Sequence, residues 1–174
     1  MSVFDSLSNE HALLLKLVGR LERAAGVKDE RVAARETRNI LLVLFKAREA
    51  HQRLEHLIYD ESPELPTPAA YKALASIESQ HRALTELHEE AAALLSCITP
   101  EGGSSIRELS LRLANILRHL IDEEERKLWP SFHAYAGRST LHRLSRQARA
   151  QYLEMERDVN RYWAEVESYM TGNR

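Results

Sequence analysis

The chain has 174 residues, 44% of them hydrophobic and 29% charged, and a formal net charge of −2. This length suits one domain with a core of its own, and the balanced charge excludes a general electrostatic attraction to nucleic acid or to an anionic membrane. A single cysteine excludes an internal disulfide and a cysteine-rich zinc site, and the longest apolar run, Ile40–Phe45, is far too short to span a bilayer.

Apolar residues recur with a helical period along most of the chain, which predicts an all-α protein. The first helix should run from Asp5 to Ala25, with Asp5 or Ser6 as its N-cap and Gly26 directly after its end. The second helix should span Glu30–Asp60, where a proline-rich segment stops it.

Three further helices are expected after the proline-rich segment, and Pro130 should end the middle one. Their expected bounds are Ala69–Ser96, Ile106–Leu128 and Ser139–Tyr169. Four long helices with short connections are typical of an up-down-up-down four-helix bundle, here with an additional C-terminal helix. We therefore expect a bundle over residues 1–132 and a helical extension over residues 133–174, which packs on the bundle or serves in dimerisation.

Two of the eight histidines begin a His-x3-Glu pair. The sequence HQRLE places Glu55 four residues after His51, and HLIDE places Glu123 four residues after His119. Residues four apart lie on one face of a helix, with Cβ atoms about 5–6 Å apart. An imidazole and a carboxylate at this spacing can converge on one cation or on two adjacent ones.

A further histidine precedes each pair at a similar distance. His11 lies 40 residues before His51, and His81 lies 38 residues before His119, which indicates an internal duplication. In antiparallel neighbouring helices, residues equally far from the connection lie at one level, so we expect the repeated side chains to meet in the core. These candidate metal ligands are His11, His51, Glu55, His81, His119 and Glu123.

The energetics of such a cluster favour a bound cation. Burying carboxylates without partners is costly, and an ion among them removes that cost. Neutral imidazole nitrogens and carboxylate oxygens suit iron, zinc or manganese. Six ligands, two of them able to bridge, exceed what one tetrahedral ion uses, so a dinuclear site is favoured.

The paired motif, closed in its second copy by HLIDEEERKLWP, resembles the hemerythrin-like family, also called HHE cation-binding domains, over about residues 5–130. The resemblance implies a four-helix bundle that holds two iron ions. Two carboxylates and an oxo or hydroxo group bridge the ions, and one position is open for O2, NO or a peroxide. The implied roles are one iron on His11 and His51, the other on His81 and His119, and bridges by Glu55 and Glu123.

One position departs from the O2-carrying hemerythrins. Those proteins have His-x3-His on the third helix, where this chain has His81 and then Thr85. The chain is therefore more similar to the HHE branch that is linked to iron or redox sensing and to stress responses.

Several nearby residues have other expected roles. Glu124 and Glu125 should face solvent or orient a ligating imidazole. Tyr59 is either a hydrogen-bond donor to the site or a packing residue. His88 is a core histidine, a residue that contacts a metal ligand without binding the metal, or a replacement ligand. Surface positions are expected for His56, Asp122, His133 and His142.

The leading hypothesis is a non-haem di-iron protein that binds O2, NO or iron in sensing, storage or stress response, rather than an enzyme. One alternative is a di-iron peroxidase or oxidase, although the Glu-x2-His pattern of ferritin-like enzymes occurs only at Glu78 and His81 among the candidate histidines. Another is a metal-free helical interaction protein.

The expected partners are a small ligand and either a second copy or a signalling protein at the C-terminal helix. No nucleic acid or membrane partner is expected. The first ten residues lack the regions of a secretory signal, so the expected location is cytoplasmic.

Overall fold

The computed structural model describes residues 2–60, 67–96, 103–135 and 137–171, and regular structure within these ranges is helical throughout, with no strand. The all-α class predicted from the sequence is confirmed. The proline-rich segment after Asp60 and the turn after Ser96 lie outside the described residues. The helices are α1 (Val3–Ala25), α2 (Glu30–Asp60), α3 (Pro68–Ser96), α4 (Gly103–Glu123), a π-helix (Glu124–Leu128), α5 (Trp129–Tyr135) and α6 (Arg138–Thr171).

Helix α1 begins one turn earlier than the N-cap expected from the sequence. Ser2 is the cap: its Oγ accepts a hydrogen bond from the Asp5 amide at 3.0 Å, and the Asp5 carboxylate accepts one from the Ser2 amide at 2.7 Å. This reciprocal pair is a capping box. The expectation of a cap at Asp5 or Ser6 is wrong because Val3 and Leu7 are both fully buried, so the preceding turn packs into the core.

The sequence predicted that the fourth helix would end before Pro130. In the structure, the helical path continues beyond this residue. The chain passes from α4 through the π-helix, in which the Trp129 amide donates to the Glu124 carbonyl five residues back. Pro130 is the second residue of α5. A proline is tolerated in a first helical turn because its missing N–H has little need of an intrahelical partner there.

The long helices pack through a shared leucine-rich core. Helix α1 packs against α2, α4 and α6, and α3 packs against α4. Helices α1 and α4 run antiparallel, since His11 meets Glu125 and Glu22 pairs with Arg118. The backbones of α2 and α3 rarely come close among the described residues, and these helices meet through side chains such as Phe45 and His88. No helix in these ranges combines the length and apolarity needed to cross a membrane.

Helix α6 lies on α1 and α2. The Val3 amide at the start of α1 donates to Ser145 Oγ at 3.0 Å, and Lys46 of α2 pairs with Asp158 at 3.1 Å. Further along, the Arg20 guanidinium lies 4.2 Å from the ring centre of Trp163. The buried face of α6 comprises Leu144, Ala148, Met155 and Val159. Helix α6 therefore packs on α1 and α2, and its role in dimerisation stays a prediction.

This packing predicts different costs for two leucines of α6. Leu144 is 2% exposed and Leu153 is 48% exposed. Leu144→Ala should lower the free energy of unfolding by about 2–5 kcal/mol, because it leaves a cavity against the core, whereas Leu153→Ala should change it by less than about 0.5 kcal/mol. Urea unfolding of both variants tests this. Equal effects would show that the buried face is not the one described.

Candidate metal centre

Three histidines and two glutamates from four helical segments meet in the interior. His11 comes from α1, His51 and Glu55 from α2, His81 from α3 and Glu124 from the π-helix, and each is buried. Their ligand atoms form two groups that could each hold a metal ion, with all atoms of a group within 4.8 Å of one another. One group is His11, His51 and Glu124; the other is Glu55, His81 and Glu124.

In the first group, the donor atoms converge on a small volume. His11 Nε2 lies 3.1 Å from His51 Nε2 and 3.0 Å from Glu124 Oε2. His51 Nε2 lies 3.8 Å from the same oxygen. Two ligands bound at about 2.0–2.2 Å from one ion and roughly at right angles would lie about 3 Å apart, which is close to the shorter two distances.

The second group shares Glu124 with the first, and its Glu55 also faces a histidine of the first. His81 Nε2 lies 3.3 Å from Glu55 Oε2 and 3.6 Å from Glu124 Oε1. The other oxygen of each carboxylate faces the first group, since Glu124 Oε2 approaches His11 and Glu55 Oε1 lies 3.5 Å from His51 Nε2. Both carboxylates therefore present one oxygen to each group, as a carboxylate that bridges two ions must.

Each histidine of the first group has a second carboxylate at the ring nitrogen that does not face the other donors. His51 Nδ1 lies 2.8 Å from Glu10 Oε2, and His11 Nδ1 lies 2.8 Å from Glu125 Oε1. With Nδ1–H donating to these carboxylates, each Nε2 carries the lone pair that a metal needs. The indole of Trp129 stacks on the His11 ring, with 4.6 Å between ring centres. Both imidazoles are thus set in position and tautomer.

The side chains of the second group are held by fewer hydrogen bonds. Tyr59 Oη donates to Glu55 Oε1 at 3.2 Å, which orients that carboxylate. Both ring nitrogens of His81 are buried and lack a hydrogen-bond partner in the described parts of the chain. The tautomer of His81 is therefore not set by a neighbouring group as those of His11 and His51 are.

The unsatisfied atoms of the cluster match the needs of a cation. Besides the His81 nitrogens, Glu55 Oε2 and both carboxylate oxygens of Glu124 are buried without a hydrogen bond from the residues that the structure describes. Such atoms cost free energy when left unpaired. Imidazole nitrogen and carboxylate oxygen together suit a first-row transition metal. The residues present therefore fit a metal site, and the shared carboxylates fit two ions.

The cluster perturbs the pKa values of its own members. Burial lowers the pKa of His51, but Glu55, Glu10 and Glu124 together outweigh burial and raise that pKa well above its ordinary value. The same opposition raises the pKa of His81 to about 9. Burial raises the pKa of Glu124, yet the three imidazoles hold it well below its usual range. The metal-free cluster consequently keeps protons on histidines that a metal must displace.

Glu123, expected as a bridging ligand, lies beside the cluster in a different network. It is buried, and it accepts hydrogen bonds from Lys127 at 2.5 Å, from Ser76 at 2.7 Å and from Gln80 at 2.5 Å. The Lys127 hydrogen bond is the main cause of its lowered pKa, with Ser76 adding to it. Glu123 therefore links α4 to α3, and its carboxylate is occupied by other donors.

His119, the remaining expected ligand, is exposed on α4 and is not brought to the cluster. His119 lies on the exposed side of α4, whereas the buried residues of α4 and of the π-helix form a stripe on the opposite side. That stripe comprises Leu113, Leu117, Ile121, Glu124 and Leu128. The structure thus brings together four of the six expected residues, and Glu124 supplies the carboxylate expected from Glu123.

Three acidic residues at the site escaped the sequence analysis or were given another role. Glu124 continues the apolar stripe of α4 at helical spacing, a signal that identifies it among the four consecutive carboxylates. Glu125 was expected either at the surface or behind an imidazole, and it is partly exposed with its oxygen on His11. Glu10, directly before His11, has no sequence signal of its own.

The other histidines with expected positions lie away from the cluster. His56, His133 and His142 are exposed, as predicted. His88 is half-buried and stacks on Phe45, with 3.7 Å between ring centres. Of the roles left open for His88, that of a packed histidine matches this position.

The chain matches no protein-family model, no curated protein and no solved structure in the comparisons made with each. A functional assignment must therefore be argued from the motif and from the geometry of the buried donors.

The two adjacent glutamates provide a matched pair of variants. Glu124→Gln keeps the size of the side chain but removes the charge that faces both donor groups, so bound transition metal should fall roughly tenfold or more. Glu123→Gln removes the same charge one residue earlier and should leave metal content nearly unchanged. Elemental analysis of both proteins, expressed with added iron, zinc and manganese, measures this. Equal loss in both variants would contradict the assignment of Glu124.

The raised histidine pKa values predict opposite pH trends for metal binding and for metal-free stability. Metal affinity should increase as pH rises toward about 9, since His81 must lose its proton to bind. Because this folded-state pKa lies above the unfolded value, its contribution to folding is complete below about pH 6.5 and is lost as pH rises through about 9. Urea unfolding of the metal-free protein at about pH 6 and about pH 9.5 should therefore show lower stability at the higher pH. A stability that rises over this interval would contradict the described cluster.

Proposed function

We propose that this chain is a hemerythrin-like protein in which His11, His51, Glu55, His81 and Glu124 hold two non-haem iron ions. Its function would be to bind O2, NO or a peroxide in sensing, storage or stress response. The observation that carries the proposal is the pair of buried donor groups that share Glu124, with Glu55 lying between His51 and His81. The histidine motif of the sequence supplies the choice of family.

The packing of the helices is compatible with this family. Under the proposal, α1 to α4 form the up-down-up-down four-helix bundle, and the antiparallel pair of α1 and α4 supports that order. Each of the first three helices contributes a histidine, and the π-helix that extends α4 contributes a carboxylate. Ligands that project inward from the helices of a bundle are a common way to build a di-iron site.

The two halves of the site would have different tasks. His11 and His51, each held by a carboxylate on Nδ1, would keep one ion firmly placed. The other half has His81 as its only histidine, so it has fewer protein ligands and more room for a small ligand. Iron, when bound, would supply the redox chemistry and the affinity for a diatomic gas or peroxide. The protein residues would hold the iron ions in place and leave a path for the small ligand.

Access to the His81 half is open in the structure. A cleft between α2 and α3 is lined by His81 together with Gln52, Tyr59 and Thr85. Thr85 Oγ1 donates to the His81 carbonyl at 3.0 Å, so the residue that replaces the fifth histidine of O2 carriers is engaged with the backbone. Small molecules can therefore approach this half from solvent.

Tyr59 would control protons at this opening. Burial, followed by the charges of Glu55 and Glu124, raises the pKa of the Tyr59 phenol well above its ordinary value. The phenol therefore stays protonated at neutral pH and donates to Glu55. Its place on the cleft lining puts an O–H donor where an entering ligand would pass.

Of the alternatives, the ferritin-like oxidase has the least support from the geometry. It would need Glu78 as a ligand, but Glu78 is exposed and lines the outer cleft. A metal-free interaction protein would keep the unsatisfied oxygens of Glu55 and Glu124 in its core. Such a core would be expensive, and a metal centre removes that cost.

The proposal is tested by metal content and optical absorbance of protein expressed with iron. We expect two irons per chain and ferric charge-transfer bands that change when azide or NO is added. His81→Ala should lower the iron content toward one per chain and weaken the response to azide. His142→Ala, which changes an exposed histidine of α6, should leave both unchanged. Absence of bound transition metal from the wild-type protein under ample supply would end the proposal.

A further inference from the structure

The cleft between α2 and α3 leads from the surface of the protein to one of the metal-ligand candidates. His81 lines this cleft and is 7% exposed, whereas Glu78, Arg82 and Glu86 line it from exposed positions on the same helix. Both ring nitrogens of His81 are buried and have no hydrogen-bond partner in the described parts of the chain. The cleft therefore connects solvent with a buried imidazole whose nitrogens remain available to an ion.

The size of the cleft suits an ion that still carries its water. The cleft has a volume of about 580 Å³. A divalent first-row metal ion in water holds about six water molecules, which occupy about 180 Å³ at about 30 Å³ each. Such an ion therefore has room in the cleft before it reaches the donor atoms of the centre.

The charges along the cleft favour a cation over an anion. Glu78, Arg82 and Glu86 are spaced four residues apart, so they share one face of α3. Two carboxylates thus flank one guanidinium at the outer edge, and the carboxylates of Glu55 and Glu124 lie behind the cleft at the centre itself. A cleft with an excess of one sign of charge raises the local concentration of the opposite ion.

Tyr59 connects the outer edge of the cleft to the metal centre. Its Oη donates to Glu55 Oε1 at 3.2 Å, and its ring lines the cleft. The pKa of Tyr59 is raised first by burial and then by the charges of Glu55 and Glu124, and the charge of Glu78 adds to this effect. The field of Glu78 therefore reaches a phenol that contacts a metal-ligand candidate.

Protein groups cover the other half of the centre. The carboxylates of Glu125 and Glu10 occupy Nδ1 of His11 and of His51, each at 2.8 Å. The indole of Trp129 stacks on the His11 ring. An ion that approached from this side would have to displace these contacts, whereas entry past His81 displaces none of them.

We propose that divalent transition-metal ions enter the centre through this cleft, and that the Glu78 and Glu86 carboxylates attract them at its outer edge. Arg82, which lies between the two carboxylates, slows the entry. The inference rests on the proposed metal centre, but it concerns the rate at which metal binds and not the identity of the ligands. Charge changes at the edge of the cleft should therefore alter the rate of loading and leave the final metal content unchanged.

The rate is measured by rapid mixing of metal-free protein with Co²⁺ at an ionic strength of about 10 mM, where charges act over about 30 Å. Binding is followed by the visible absorption that Co²⁺ gains when imidazole and carboxylate groups replace its water. Elemental analysis then gives the final metal content. The same mixing at an ionic strength of about 1 M, where charges act over about 3 Å, measures how far the rates depend on electrostatic attraction.

The two signs of charge at the edge predict opposite effects. At low ionic strength, Glu78→Gln should lower the bimolecular rate constant of loading roughly threefold or more, and Arg82→Gln should raise it by a similar factor. Both effects should shrink at high ionic strength. Glu89→Gln is the matched control, since Glu89 is an exposed residue of α3 that does not line the cleft, and this variant should load at the wild-type rate.

The possible failures of the inference and of the metal centre are distinguishable. A wild-type protein that binds no Co²⁺ would end both. If the wild type binds Co²⁺, but Glu78→Gln does not slow the loading or Arg82→Gln does not speed it, the entry route is wrong and the centre stands. Equal slowing by Glu89→Gln would show an effect of total charge and would also overturn the route. A lower final metal content in Glu78→Gln would make Glu78 a ligand, which contradicts its role in entry.

Discussion

The burial of Glu55 and Glu124 among three imidazoles is the constraint on which the rest of this structure depends. Two carboxylates in a leucine-rich interior are tolerable only with positive charge between them. In the metal-free protein, protons on His51 and His81 supply part of that charge, as their raised pKa values show. A metal ion would supply it more fully, and it would also satisfy oxygens that accept no hydrogen bond.

The change of helix type after α4 is what places the acidic residues around His11. Glu124 Oε2 approaches one nitrogen of that imidazole at 3.0 Å, and Glu125 Oε1 approaches the other at 2.8 Å. Two consecutive residues thus contact opposite sides of one ring, and Trp129 covers its face. The six residues from Glu124 to Trp129 therefore fix the carboxylate, the tautomer and the packing of a single histidine.

The sequence was sufficient for the features that depend on local pattern. The bounds of α2 follow from its periodicity and the prolines after it, and His51 with Glu55 follows from helical spacing. The same spacing suggested His119 and Glu123, but spacing shows only that two residues share a face. Which face is buried depends on the apolar stripe, and on α4 that stripe leads to Glu124. Contacts such as Glu10 on His51 depend on how α1 and α2 pack, which a single-sequence pattern does not contain.

The π-helix has a further consequence for the length of this segment. The number of residues in a helix affects which way the following side chains point. A π-turn holds one residue more than the α-turn that it replaces, so a chain shortened by one residue there could continue as an uninterrupted α-helix. Each residue accounts for about 100° of rotation around a helix axis. Such a deletion removes the extra residue of the π-turn, so Trp129 and Phe132 would keep about their present direction toward the interior that buries them. A one-residue deletion within regular α4, which holds no extra residue, would instead turn the π-helix and α5 by about 100° and should be far less tolerated.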